Sequence, residues 1–197
     1  MSNTQHDPFI QHTIQQSIDL KTQVLQDADL LQRISDVSNR LIDMFQSGRR
    51  LLIAGNGGSA ADAQHIAAEF TCRFNFDRPA LPAFALATNY SMITAAGNDY
   101  SFEEVFAREI EANGQAGDIF IGISTSGNSA NILKAIEAAH QKDIYTVGLC
   151  GAGGKIMSKA NTCLNMPSSC TPRIQECHIM VGHIICEIVE NQLFPRL

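Results

Sequence analysis

Five short apolar runs, most of them separated from the next by a polar loop and a helix-patterned stretch, constrain this chain more than any other feature. They are Leu51-Leu52-Ile53-Ala54, residues 83–87, residues 118–123, residues 145–149 and residues 162–166. Continuous apolar strands are the mark of a sheet covered on both faces, and strands that alternate with helices form a parallel one. Right-handed crossovers then predict a doubly wound, three-layer α/β sandwich with a five-stranded parallel sheet. Helices are expected between the runs over 60–70, 102–112 and 130–141, and after the last run over about 173–192, stopped by Pro195. Ahead of them, Ile14, Ile18, Leu20 and Val24, then Leu31, Ile34, Val37, Leu41 and Met44, recur at helical steps. That stripe predicts one or two amphipathic helices over about 8–47, with a break near 27–29 and Gly48 ending the second. No linker, repeat or low-complexity tract interrupts the pattern, so residues 1–197 read as one domain.

Charge narrows the function classes. A formal net charge of −6 argues against a nucleic-acid partner, which requires a basic stripe, and the Arg49–Arg50 pair is too small to reverse it. No stretch approaches the ~18 apolar residues of a membrane span, so no membrane partner is expected. The polar start over 1–15 lacks the apolar core of a secretion signal. Six cysteines without a C-x-x-C pair read as reduced thiols, which points to the cytoplasm.

An acidic chain can still bind an anion if backbone N–H groups and a helix end do the work. Ser124-Thr125-Ser126-Gly127-Asn128-Ser129 places four hydroxyls and a glycine between a predicted strand and a predicted helix. Glycine permits the tight turn, the amides converge, and the helix end adds partial positive charge. A helix cap alone needs one such hydroxyl, so the surplus favours a phosphate. The P-loop pattern G-x-x-x-x-G-K-[ST] is absent. In Gly55-Asn56-Gly57-Gly58-Ser59 the next residue is Ala60, where a dinucleotide fingerprint needs its last glycine.

Elsewhere, His65 and Glu69 stand four apart on a predicted helix, and Gln175 and His183 stand eight apart on another. Each pair shares a helix face. By spacing alone, the first is either a surface pair or part of a metal site, and His183 is either a core-edge histidine or a ligand. Glu176, at ~100° per residue, faces away from Gln175.

The segments 55–69, Arg78-Pro79, Gly97-Asn98-Asp99, Gly117-Asp118, 124–131 and Arg173-Ile174-Gln175-Glu176 occur in an order that resembles the sugar isomerase (SIS) family, within it the group of bacterial phosphoheptose isomerases. The resemblance implies a flavodoxin-like SIS fold and an aldose–ketose isomerase. Its substrate would be sedoheptulose 7-phosphate, its product D-glycero-D-manno-heptose 7-phosphate, a first step towards lipopolysaccharide heptose. Glu69 and His183 would be the acid/base pair. One zinc ion per subunit would be held by His65, Glu69, Gln175 and His183, a donor set that suits zinc. Asn56, Gly57, Gly58, Ser59, Glu69, Asn98, Asp99, Ser124, Thr125, Ser126, Ser129 and Gln175 would bind substrate. Structurally, Asn56 and Ser59 would otherwise shape a turn, and Asp99 reads equally as a turn residue. Arg73 stands either near the site or in a surface pair. A homotetramer is implied, with N-terminal helices packed across subunits, shared active sites and His65 a contributor across the interface.

Pro172 departs from members that carry an acid before Arg173, so no role for that acid carries over. Two other readings remain: an isomerase of a hexose or amino-sugar phosphate, and a non-catalytic relative that binds a replication initiator. Leu193-Phe194-Pro195 resembles the end of the latter, which lacks the acid/base pair. A transcriptional sugar-phosphate sensor would require a helix-turn-helix domain and finds none.

Overall fold

Alternate residues of the central strands feed two separate cores. A computed structural model describes residues 7–196; residues 1–6, part of the polar start, and Leu197 lie outside it. In β1 (Leu51–Gly55), Leu51 and Ile53 face one core while Leu52 and Ala54 face the other. In β3 (Ile119–Ser124), Ile119, Ile121 and Ile123 join the first and Phe120 the second. Both faces are thus covered, as the unbroken apolar runs predict.

The sheet has five strands in the order β2-β1-β3-β4-β5, with β2 at Ala83–Ala85, β4 at Tyr145–Cys150 and β5 at Thr162–Asn165. Every pairing is parallel. The chain leaves β1 for one side of the sheet and returns to the other at β3, so the β1–β3 junction is a topological switch point. Gly55 pairs with Ile123 and Ser124 with Cys150, which sets the glycine loop beside the hydroxyl loop.

The first core is covered by α1 (Pro8–Gln26), α2 (Ala28–Gln46), α3 (Gly58–Thr71) and, completing that face, the chain's last helix, Thr171–Leu193. Asp27 alone makes the break between the first two. Its N–H closes α1 on Gln23 and Val24, and its carboxylate accepts the Leu30 amide at 2.9 Å. The other core packs under α4 (Tyr90–Asp99), α5 (Val105–Asn113), α6 (Ala130–His140) and α7 (Ile156–Lys159). The last helix is therefore α8.

Three local readings change. The second strand ends at Ala85 rather than at 87, because Ala87 turns to φ 57° and gives its amide to Glu109 at 2.7 Å. Residues 102–112 are not one helix: a 3-10 turn, Phe102–Glu104, precedes α5, and its two glutamates pair with Lys134. Gly97-Asn98-Asp99, where Asp99 reads as a turn residue, forms the last turn of α4. All six cysteines are free thiols, and among the described residues no helix is long and apolar enough to cross a membrane.

Candidate active site

The loop after β3 is built to leave its helix end open. Ser129 occupies the cap position of α6, yet its side chain caps nothing. Its hydroxyl lies 2.9 Å from the Ser124 hydroxyl instead. The first N–H groups of a helix have no partner within it. The Ile132 amide is taken by Asn131 Oδ1 at 3.0 Å, which leaves the opening amides of α6, at Ala130 and Asn131, beside Thr125 and the exposed Ser126. Gly127 makes the turn at φ 66°, and a Cβ there would meet the Gly153 carbonyl at 2.3 Å. Asn128 steadies the loop by accepting the Lys155 amide at 3.1 Å.

The glycine loop is tied to it. Asn56 and Asn131 exchange two amide bonds, each 2.9 Å, joining the end of β1 to the first turn of α6. Gly57 turns at φ 57° to start α3, and Ser59 is buried in that first turn. Gly58 lets Gln175 of α8 come in: a Cβ on it would lie 2.5 Å from the Gln175 side-chain nitrogen. Gln175 therefore stands at the mouth of α3, beside both loops.

Further along the α3–α8 groove, His65, Glu69 and His183 converge. His65 Nε2 is 2.9 Å from His183 Nε2 and 3.1 Å from Glu69 Oε1. The three ligand atoms all lie within 4.8 Å of one another. Two imidazole nitrogens at that distance share a proton or face one cation, and a carboxylate beside them completes a donor set that fits zinc. The His183 ring packs against Phe74, centroids 5.5 Å apart. His65 is seven residues past Gly58, about 10 Å along the helix, so the cluster and Gln175 occupy different levels of one groove. The site is polar and open to solvent, with half of the His65 side chain exposed.

A buried clasp holds this groove. Arg78 and Glu190 pair at 3.1 Å with side chains 2% and 1% exposed. Glu190 also accepts the Phe74 and Asn75 amides, and Arg78 donates to the carbonyls of Glu69 and Phe70. Burial alone would raise the Glu190 carboxyl; the two amides and the guanidinium outweigh it and hold the group below its ordinary range. One ion pair thus fixes the end of α3, the chain after it and α8.

The remaining candidates lie apart from this groove's hydrogen bonds. Asn98 donates to Asp99 at 2.8 Å at the exposed end of α4, and neither bonds to the loops or the cluster among the described residues. Arg73 is exposed beyond α3. Glu176 pairs with Arg173 at 2.8 Å, and Arg173 also reaches the Thr13 carbonyl. Pro172 sits in the opening turn of α8, where the missing N–H costs nothing. Three further groups have roles that spacing along the chain does not announce. The Arg78–Glu190 clasp is one. His178 is fully buried and bonds the Cys150 carbonyl at 3.2 Å. Asp62, on α3, has a buried carboxylate oxygen without any partner; burial raises its pKa, and His65 and His183 pull it back.

Comparison with known proteins agrees with this arrangement. A family model described as the SIS domain matches residues 14–151. The chain is 54% identical over 187 residues to the phosphoheptose isomerase of Aneurinibacillus thermoaerophilus, covering 94% of both chains. It is 54% identical over 189 residues to phosphoheptose isomerase 2 of Campylobacter jejuni, covering 95% of this chain and 94% of that one. Among solved structures, the phosphoheptose isomerase from Neisseria gonorrhoeae superposes with a TM-score of 0.86 at 39% identity, over 92% of this chain and 97% of that one. The phosphoheptose isomerase from Francisella tularensis gives 0.88 at 35%, over 92% and 96%. The chain belongs to the SIS domain family.

Proposed function

We propose that this chain is an aldose–ketose isomerase that converts sedoheptulose 7-phosphate to D-glycero-D-manno-heptose 7-phosphate, on the route to lipopolysaccharide heptose. The observation that carries the reading is the carboxylate–imidazole cluster of Glu69, His65 and His183, in a chain similar over nine-tenths of its length to phosphoheptose isomerases. The hydroxyl loop takes the phosphate through Ser124, Thr125, Ser126, Ser129 and the open end of α6. Asn56, Gly57, Gly58, Ser59 and Gln175, gathered at the mouth of α3, meet the sugar hydroxyls. Asn98 and Asp99 complete the substrate contacts. A sugar carrying its phosphate on the last carbon has its reacting carbons at the other end, which suits a groove whose phosphate grip and acid/base cluster sit at different levels.

Isomerisation moves one proton between adjacent carbons and another between their oxygens. Glu69 takes the carbon-bound proton and, through an enediol, returns it to the neighbouring carbon. His183 carries the proton between the two oxygens. Glu69 has a second oxygen for this work when the first faces the imidazoles. Zinc, one per subunit, held by His65, Glu69 and His183, would polarise the carbonyl and stabilise the enediolate. Gln175, expected from the resemblance as a fourth donor, lies against Gly58 at another level of the groove and is left to the sugar.

The reading takes residues 1–197 as one SIS domain in a cytoplasmic homotetramer. Ile10, Ile14, Ile18 and Leu25 form an exposed stripe on α1, each at least 50% accessible, and such a stripe calls for a partner surface. A second copy of the chain is that partner; His65, expected to reach across the interface, instead joins Glu69 and His183 of its own chain.

The test is turnover of sedoheptulose 7-phosphate by the wild type, Glu69→Gln and His183→Ala, with and without chelator. Aldose formation by the wild type and a loss of at least about a hundredfold in both variants are expected. An inactive, folded wild type overturns the proposal, and activity untouched by thorough chelation removes the metal from it.

A further inference from the structure

A buried, unpartnered carboxylate oxygen is a cost to folding, and Asp62 carries one at the edge of the cluster. It stands three residues before His65 on α3, so the two side chains are neighbours on one helix face. Glu69 lies on the far side of His65, one turn on. The His65 ring is thus set between two carboxylates, with Nε2 turned to Glu69 at 3.1 Å and to His183 at 2.9 Å. Asp62 is not among the three groups whose ligand atoms converge, so it stands outside the ligand set. His65 and His183 are the titratable groups that reach it.

Tautomer chemistry gives this oxygen a use. A carboxylate only accepts, so the Nε2 contact to Glu69 places the His65 proton on Nε2 and leaves Nδ1 bare, with nothing to offer Asp62. When Nε2 binds a cation, the ring's proton sits on Nδ1, and a metal-bound histidine gives that N–H to a nearby carboxylate or carbonyl. Asp62 is the acceptor placed to receive it.

We infer that Asp62 is a positioning residue of the metal centre: its carboxylate accepts the Nδ1–H of His65, fixes the ring's orientation and strengthens Nε2 as a ligand. The inference rests on the zinc reading of the cluster. It also accounts for a buried carboxylate oxygen that has no hydrogen-bond partner. The ring is neutral in both states: Nε2 gives its proton to solvent as the cation binds, and Nδ1 takes one up, so the proton count does not change.

The experiment is a zinc titration of the full-length, chelator-stripped protein against a chromophoric competitor, for the wild type, Asp62→Asn and Asp62→Glu. Melting of the stripped proteins is followed in parallel. Asp62→Asn should bind zinc about 10–100-fold more weakly. Its stripped form should melt at the same temperature as the wild type or higher, since an unpaired charge is gone. Asp62→Glu should recover part of the affinity. Equal zinc affinity in wild type and Asp62→Asn overturns the inference while leaving the metal centre intact. Affinity that falls together with the melting temperature of the stripped protein also overturns it, by showing a structural role. A wild type that takes up no zinc overturns the metal reading itself, and this inference with it.

Discussion

His178 is the clearest case of a residue whose role packing alone decides. It is fully buried, donates from Nε2 to the Cys150 carbonyl, and its Nδ1 meets nothing. Burial lowers its pKa to about 4, against 6.5 for a free imidazole. The unfolded chain therefore binds the extra proton first as pH falls. Stability is full above pH 6.5 and declines towards pH 4, by about 3 kcal/mol from this group. Urea unfolding between pH 7.5 and 4.5 reads that slope, and His178→Gln, which keeps an N–H for Cys150, should flatten it. Equal slopes in the two proteins contradict the assignment. Gly58 offers a second test at this scale. A Cβ there meets only the flexible end of Gln175, so Gly58→Ala should barely change melting while raising KM several-fold by moving the amide. An unchanged KM would remove Gln175 from the substrate contacts.

Residues of this kind mark what the sequence could and could not reveal. Glu69 and His65 were visible as a pair because helical spacing puts them on one face, and the hydroxyl loop was visible because four hydroxyls exceed what a cap requires. Asp62 and His178 were not, since a lone polar residue on a helix looks solvated until its neighbours bury it.

At the scale of elements, the strands were legible because burial on both faces writes itself as a continuous apolar run. Helix α4 was not: Ala96 is its single buried residue, and Tyr90 is 78% exposed, so no apolar stripe announces it. The α3–α8 clasp was equally silent, because Arg78 and Glu190 are 112 positions apart and each alone reads as a surface charge. Removing one partner strands the other in the core and costs about 3–5 kcal/mol. Glu190→Gln should show that loss in denaturant unfolding. It should also lower activity in the folded fraction, because glutamine keeps one acceptor oxygen for the two amides of Phe74 and Asn75, which loosens the segment whose Phe74 ring packs on His183. Unfolding unchanged by the substitution would mean the clasp holds nothing. Full activity per folded molecule would show that the clasp secures the groove without placing His183.

For the whole molecule, the N-terminal helices divide their labour. Helix α2 buries its stripe within the chain, whereas α1 buries only Leu20 and Val24 and presents Ile10, Ile14 and Ile18 outward. If that face joins copies of the chain, Ile14→Glu combined with Ile18→Glu should lower the mass seen by light scattering while leaving the helix content unchanged. A wild type already monomeric at micromolar concentration contradicts the shared-site assembly.

The central claim is that a sugar phosphate gripped by the 124–129 loop is isomerised by proton transfer at Glu69. Its most direct test is the proton NMR spectrum of sedoheptulose 7-phosphate incubated with the protein in deuterium oxide. The Glu69 side chain is 22% exposed, enough for its captured proton to exchange with solvent. The account predicts new aldose anomeric signals with deuterium at C2, and none of them with Glu69→Gln. A spectrum that stays that of the ketose, or an aldose formed equally well by Glu69→Gln, would contradict it.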